Sequence, residues 1–132
     1  MGTLFDVKSP ILGFENITKF EFSQIDDNFA SIKNSEGDIP SFTLINPFVL
    51  REYAFDIPLA IKALMSLNSD TNLLVYNIVV IKNPLQESLV NFIAPLIFNI
   101  DNKTMAQLVL DDLEHPEFGA VEPLSSFMSA EE

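Results

Sequence analysis

The sequence contains no cysteine and no tryptophan, and it has a single histidine among its 132 residues. Without cysteine the chain has no disulfide framework, no thiolate metal ligand and no cysteine nucleophile. A reducing, cytoplasmic setting fits this composition. The one histidine, His115, lies beside Pro116 in a predicted loop, where an imidazole is usually solvated and neither catalytic nor metal-binding.

Glycine is also scarce, with four residues in the chain, and none of them belongs to a glycine-rich phosphate-binding loop. No serine lies in a nucleophile-elbow pattern. Two pairs of adjacent aspartates occur at 26–27 and 111–112, but neighbours on a strand point to opposite faces and do not converge on one site. The sequence therefore predicts no enzyme, no cofactor and no metal site.

Long hydrophobic runs are absent as well. The longest, Leu73 to Ile81, is interrupted by Asn77 and is far shorter than the roughly 18 residues that a membrane span needs. The N-terminal residues lack the basic region and the long apolar stretch of a secretory signal. We therefore expect no contact with a membrane.

Basic residues are few, since seven lysines and arginines stand against 19 acidic residues and the net charge is −12. Such a surface repels nucleic acid phosphates and attracts a basic partner. The same charge keeps an apolar chain soluble, and solubility alone is a sufficient reason for it. We expect no direct binding of nucleic acid, while the charge by itself leaves a basic protein partner open.

What the sequence does contain is apolar residues, which make up 48% of the chain and suffice for the core of one domain. Alternating and β-branched stretches predict two hairpins and further strands, at 20–23, 29–33, 41–46, 73–81, 89–100 and 104–111. The pattern is that of a mostly-β fold, a small antiparallel β-barrel or sandwich with one short helix.

The helix is predicted over residues 57–67. Asp56 is suited to cap it, and Pro58 is tolerated in its first turn. Its apolar face is formed by Ile57, Ile61, Leu64 and Leu67. Residues 1–115 are assigned to the β domain and residues 116–132 to a C-terminal tail. In that tail Leu124, Phe127 and Met128 are spaced for a short helix packed on the body.

The apolar segment 89–100 carries two amides and a proline where a core strand would have valine or isoleucine. Pro95 cannot donate to a ladder, so its strand is predicted to be an edge strand or to be bulged there. Asn91 and Asn99 either satisfy unpaired main-chain groups or present hydrogen bonds to a partner. The residues alone leave these two interpretations open.

Four segments, in their order and spacing, resemble the flagellar assembly factor FliW family. They are Ile11–Glu15, Ile45–Phe48 leading to Tyr53–Asp56, Asn77–Val79, and Asn91–Asn99 with Gln107 following. The resemblance covers about residues 10–112. It implies a small β-barrel-type protein without catalysis.

The resemblance also implies two protein partners. One is CsrA, a basic, dimeric translational repressor, and the other is flagellin. In the implied partner switch, surplus flagellin occupies the FliW-like protein and leaves CsrA free to repress flagellin translation. Once flagellin has been exported, the FliW-like protein holds CsrA and translation resumes. A cytoplasmic monomer is expected.

The candidate partner-binding residues lie in the segments that carry the resemblance and in the loop before Asn91. They are Phe14, Glu15, Asn46, Phe48, Tyr53, Glu87, Asn91 and Pro95. The resemblance favours an interface role for Asn91 and a structural role for Asn99. The loop aromatics either plug the ends of the barrel or anchor a partner, and Gly13 before Phe14 favours a plug there.

Two other functions remain as alternatives. One is a dedicated flagellin chaperone without a regulatory role. The other is a small-ligand barrel or a hydrolase without a recognisable catalytic motif. A barrel interior filled with side chains would argue against a ligand barrel.

Overall fold

The computed structural model of the chain describes residues 2–37, 40–49, 53, 55–80, 82–84, 87–110 and 121–123. Nine strands in this part of the chain form one sheet. They are β1 (Thr3–Ser9), β2 (Lys19–Gln24), β3 (Phe29–Asn34), β4 (Ser41–Ile45), β5 (Leu73–Val80), β6 (Leu89–Asn91), β7 (Leu96–Asn99), β8 (Thr104–Gln107) and β9 (Val121–Pro123). A 3-10 helix (Pro47–Val49) follows β4, and the α-helix α1 (Leu59–Met65) precedes β5.

Seven of the strands close into a barrel in the order β4-β3-β2-β1-β8-β7-β5, with β4 pairing back onto β5. This confirms the predicted mostly-β barrel. The pairings are antiparallel except between β1 and β8, where Asp6 lies opposite Thr104 in a parallel pair. The expectation of a wholly antiparallel barrel is wrong at this pair. No hairpin turn joins β1 to β8, so chain connectivity does not fix their relative direction.

The barrel interior is filled by aromatic and aliphatic side chains. Phe5 lies between Phe22 and Phe98, with ring centroids 5.9 and 5.2 Å away. Tyr76 packs against Phe22 at 5.5 Å. These edge-to-face and tilted contacts belong to one buried cluster that also holds Ile32, Leu44, Leu96 and Met105. A filled interior argues against a ligand-binding barrel.

A second buried cluster covers the outer face of β5, β7 and β8. Ile97 and Ala106 point into it from the sheet, and Met65 of α1 covers them. Neighbouring positions on these strands therefore belong to different clusters, and β7 and β8 are buried at every residue. In β5, Leu73 and Val75 pack outside while Tyr76 faces inside, so this part of the strand is covered on both faces.

The structure corrects the predicted helix in two respects. Its N-cap is Pro58, without a side-chain capping bond, so Asp56 does not cap it. The fully buried helical residue is Met65, whereas Leu64 is 53% exposed. The helix ends at Ser66, in a left-handed conformation with φ of 57°. Ile61 and Met65, one helical turn apart, therefore form the inner face.

The predicted hairpins are confirmed over 29–45 and over 96–107. The sequence analysis assigned no strand to residues 3–9, which form β1. Asn99 has a structural contact on each side of its amide: it donates to the carbonyl of Met65 at 2.9 Å and accepts from the N–H of Asp101 at 2.9 Å. Residues 121–123 of the predicted tail form β9, paired with β6. His115 and the positions of the predicted C-terminal helix lie outside the described residues.

Candidate partner-binding surface

The run predicted as one strand over 89–100 is broken into β6 and β7 by residues 92–95. Both pieces lie along the same edge of β5, because β7 pairs with Leu73–Tyr76 and β6 with Val79 and Val80. The opposite edge of Val79 is occupied by β4. Pro95 lies at the end of the break, where its missing N–H costs no ladder bond. The sequence predicted an edge strand or a bulge at Pro95; the structure instead interrupts the strand there, and β6 and β7 are each paired on both edges.

Two side chains from other strands and loops satisfy the main chain at this break. The Nδ2 atom of Asn77 donates to the carbonyl of Asn91 at 2.7 Å and to the hydroxyl oxygen of Tyr53 at 3.1 Å. The hydroxyl of Tyr53 donates in turn to the carbonyl of Phe92. On the other side, the N–H groups of residues 108 and 110 donate to the carbonyls of residues 95 and 93, at 2.9 and 2.7 Å.

Asn77 is fully buried, and its Oδ1 atom accepts no hydrogen bond from the described residues. Both hydrogens on Nδ2 are used, so the orientation of the amide is fixed by its neighbours. A buried acceptor without a partner costs about 1–3 kcal/mol. Asn77 therefore holds the geometry of the break at some cost in stability. In the sequence, Asn77 was used only for the family resemblance. An amide inside an apolar run was nevertheless a signal that its side chain has a structural role.

The aromatic residues around the break form a cluster centred on Tyr53. Its ring lies 5.3 Å from that of Phe55, 5.7 Å from Phe92 and 6.3 Å from Phe48. Tyr53 is 6% exposed, which favours the plug over the exposed anchor, the two interpretations that the sequence left open for the loop aromatics. Phe48 is 53% exposed and is the ring of this cluster that partners can reach.

Asn46 and the 3-10 helix hold Phe48 in place. The side-chain oxygen of Asn46 accepts the N–H of Phe48 at 3.0 Å, as short polar side chains commonly do at the start of a helical turn. Val49, the next residue, is 50% exposed. Phe48 and Val49 thus form a small exposed apolar pair beside buried Tyr53.

Around β6, Asn91 is half-buried and Pro95 is buried. The Oδ1 atom of Asn91 accepts the N–H of Ile93 at 3.2 Å, while its Nδ2 atom makes no hydrogen bond with the described residues. Glu87 is exposed on the approach to β6. Asn91 consequently has a structural contact through its oxygen and a free donor on its nitrogen.

Phe14 and Glu15 lie elsewhere. The ring of Phe14 is half-buried and packs edge-to-face on Phe42 at 5.2 Å, as part of the interior cluster. Glu15 is exposed, and its carboxylate accepts the N–H of Gly13 at 2.9 Å. This hydrogen bond lowers the pKa of Glu15. The fold brings Tyr53, Phe48, Asn91 and Pro95 into one region and leaves Phe14 and Glu15 in another.

The described residues offer little for catalysis. No group of three or more histidine, cysteine or acidic side chains among them could hold a metal ion. No helix in this part of the chain is long and apolar enough to cross a membrane. The polar cluster around Asn77 is buried and hydrogen-bonded to the main chain. Fold and site define a closed β-barrel with a filled interior.

Comparison with known proteins identifies the family. The family model of the FliW protein matches residues 2–120. The chain is 55% identical to flagellar assembly factor FliW 2 of Wolinella succinogenes, over 96% of the chain and 93% of that protein. It is 46% identical to flagellar assembly factor FliW of Sulfurimonas denitrificans, over 94% of the chain and 97% of that protein.

A solved structure agrees with these relatives. The crystal structure of a flagellar assembly factor FliW is similar with a TM-score of 0.84, at 19% identity, covering 96% of this chain and 87% of that one. At this identity the likeness shows the fold. With the sequence relatives, it means that the chain belongs to the FliW family of flagellar assembly factors.

Replacing Tyr53 by phenylalanine should destabilise the protein without changing its fold. The substitution keeps the ring contacts and removes the hydroxyl that joins Asn77 to the carbonyl of Phe92. We expect the free energy of unfolding to fall by about 2 kcal/mol in urea titrations, because a buried carbonyl loses its donor. Tyr76→Phe is the matched control, since the Tyr76 hydroxyl makes no hydrogen bond with the described residues. Equal losses for the two variants would contradict the role given to Tyr53.

Proposed function

We propose that this protein acts by binding, without catalysis, and that its partners are CsrA and flagellin. In the cytoplasm it would be held by flagellin when flagellin is in surplus, and by CsrA once flagellin has been exported. Holding CsrA would relieve repression of flagellin translation. The observation that carries the proposal is membership of the FliW family along nearly the whole chain.

The excess of negative charge on the surface supports the proposal that one partner is basic. The described part of the chain contains two ion pairs, Lys19 with Asp6 at 2.9 Å and Lys33 with Glu21 at 3.8 Å. Eight further carboxylates are exposed there and join no ion pair, at positions 15, 26, 27, 36, 56, 70, 87 and 101. Uncompensated charge of one sign steers an oppositely charged protein and repels RNA.

The region around β6 is the proposed contact for CsrA. Glu87 supplies an exposed negative charge on the approach to the strand. The free Nδ2 donor of Asn91 is available for a short-range hydrogen bond. Pro95 and Tyr53 are buried and would shape this surface from below. Glu15 would contribute charge from a separate region, and Phe14 would support the turn that carries it.

The exposed pair Phe48 and Val49 is the proposed contact for flagellin. A flagellin monomer must shield apolar terminal surface before assembly, which calls for an apolar contact on its binding partner. The ring of Phe48 packs against that of Tyr53, and its main-chain N–H donates to the side-chain oxygen of Asn46. A ring held in this way loses little conformational entropy on binding.

The second candidate function is a flagellin chaperone without a regulatory role. The exposed pair Phe48 and Val49 favours this alternative, because a chaperone needs an apolar contact for flagellin and does not need an acidic surface. Size-exclusion chromatography of the purified protein mixed with CsrA, and separately with flagellin monomer, decides between them. Co-elution with both partners is expected. Co-elution with flagellin alone would favour the chaperone, and co-elution with neither would refute the proposal.

Replacing Phe48 by alanine should weaken flagellin binding roughly tenfold or more, because central aromatic anchors commonly contribute 2 kcal/mol or more. The melting temperature should change little, since half of the side chain is already exposed. Isothermal titration with flagellin monomer measures the effect. Leu64→Ala is the matched control, because Leu64 lies on α1 and is 53% exposed, the same fraction as Phe48. If the Phe48 variant binds flagellin with wild-type affinity, Phe48 is not the anchor.

Reversing the charge of Glu87 to lysine should lower the association rate with CsrA several-fold at low salt. The salt dependence of that rate should also become flatter, because exposed charges are screened beyond roughly 8 Å at physiological ionic strength. Stopped-flow mixing at two salt concentrations measures both. Glu36→Lys makes the same change of net charge on the exposed turn between β3 and β4. If the two variants slow association equally, Glu87 has no special steering role.

A further inference from the structure

An apolar row crosses the last three strands of the sheet, where β5 runs past the closed part of the barrel. Val80 lies opposite Leu89 of β6, and Leu89 lies opposite Pro123 of β9. Residues directly opposite each other share a face of the sheet. Val80 has the same parity as Ile78, which packs into the barrel interior. These three residues, 80, 89 and 123, therefore continue the interior face, and we call them the Val80 row.

The described residues leave the Val80 row partly uncovered. The pairing of β4 with β5 reaches Val79, so β4 does not flank the next residue. Val79 is 3% exposed on the other face, whereas Val80 is 56% exposed, and Leu89 is half-buried. Apolar side chains near the edge of a sheet are a surface that proteins normally cover with a helix or a loop.

The chain itself supplies apolar side chains next to this row. Pro123 is the last residue of β9, and the chain goes on with Leu124, two serines, Phe127 and Met128. This segment is uncharged, in a chain that carries 19 acidic residues. Its three apolar residues have the i, i+3 and i+4 spacing that places side chains on one face of a helical turn. A face of that kind needs an apolar surface to pack against.

The register of β9 puts the segment within reach of Val80. Pro123 and Val80 are two strand spacings apart, which is about 10 Å. The four residues from Pro123 to Phe127 span about 6 Å as a helical turn and about 13 Å when extended. The side chain of Phe127 reaches Val80 in both cases. A segment joined to the row by so few residues also meets it at an effective concentration on the order of millimolar, which favours it over a free partner.

Charge complementarity supports the same placement. Lys82 comes two residues after Val80, is exposed and forms no ion pair with any described residue. It is one of seven basic residues in the chain. Glu131 comes four residues after Phe127, so a segment with Phe127 on Val80 brings a carboxylate toward this lysine. An exposed pair of this kind adds little stability, but it selects one direction of the segment over the other.

We infer that residues 124–128 bind within the same molecule on the Val80 row, with Phe127 against Val80 and Glu131 toward Lys82. The sequence predicted a C-terminal segment packed on the body, and the pairing of β9 with β6 decides where it packs. The inference does not depend on CsrA or flagellin as partners. It does mean that the Val80 row is closed to an apolar partner.

The absence of cysteine from the chain makes a disulfide test clean. The test pair is Val80→Cys with Phe127→Cys in the full chain, because a disulfide forms where two Cβ atoms approach to about 4.5 Å or less. The control pair is Leu4→Cys with Phe127→Cys. Leu4 is 51% exposed, and its strand β1 is separated from β5 by β8 and β7 around the barrel.

We expect the test pair to oxidise several-fold faster than the control pair under a mild oxidant. Its product should remain monomeric in size-exclusion chromatography and should migrate faster in non-reducing gel electrophoresis. Melting temperatures give a second measurement that needs no cysteine. Val80→Ser and Phe127→Ser should each lower the melting temperature, and the double variant should lose less than the sum of the two losses, because both substitutions remove the same contact.

Each other result overturns the inference. If the two cysteine pairs oxidise at equal rates, or if the serine substitutions are additive, the segment does not pack on the Val80 row. If the test pair yields disulfide-linked dimers, the row binds the segment of a second copy of the chain. If the test pair stays reduced and Val80→Ser weakens the binding of flagellin monomer in isothermal titration, the row is a contact for that partner instead.

Discussion

The arrangement of β6 and β7 along β5 depends on one interaction, the hydrogen bonds made by the side-chain amide of Asn77. β5 must pair with β4 on one edge to close the barrel, and with both β7 and β6 on the other. The four residues between β6 and β7 leave the ladder with β5. The N–H groups of residues 108 and 110 serve the carbonyls of residues 95 and 93, while the amide of Asn77 and the hydroxyl of Tyr53 serve the carbonyls of Asn91 and Phe92. The unsatisfied Oδ1 atom of Asn77 is the cost of using an amide there.

This break determines what the surface of the protein can offer. β6 does not continue β7 but pairs with β5 and carries β9 as an additional strand. The hydroxyl of Tyr53 donates to the carbonyl of Phe92 in the break, and the exposed ring of Phe48 lies 6.3 Å from that of Tyr53. Because both faces of β7 and β8 are buried, these two strands expose no side-chain surface, whereas β1, β2 and β3 carry charged residues such as Asp6, Glu21 and Lys33 along their length.

The hairpins and the two-sided burial of β5 could be predicted from the sequence, because alternation, turn residues and β-branched runs are local signals. The irregularity at Pro95 was equally local, since a proline cannot donate a hydrogen bond wherever it lies. The helix shows where local signals fail. Leu64 and Met65 are adjacent and both apolar, and periodicity favoured Leu64. The side that faces the sheet depends on how the chain enters and leaves the helix, and the left-handed Ser66 ends it so that Met65 is buried.

By itself, the sequence determined that this is a mostly-β domain with an acidic surface, and it carried the segments by which the family is recognised. These properties follow from composition and from the pattern of neighbouring residues, so they do not depend on which distant segments meet in the fold. The tertiary structure decided the parallel pairing of β1 with β8, the burial of Tyr53, and the hydrogen bond from Asn77 to the carbonyl of Asn91, 14 residues away. Each of these depends on which distant strands meet, and long-range pairing is fixed by closure of the whole barrel and not by any one segment.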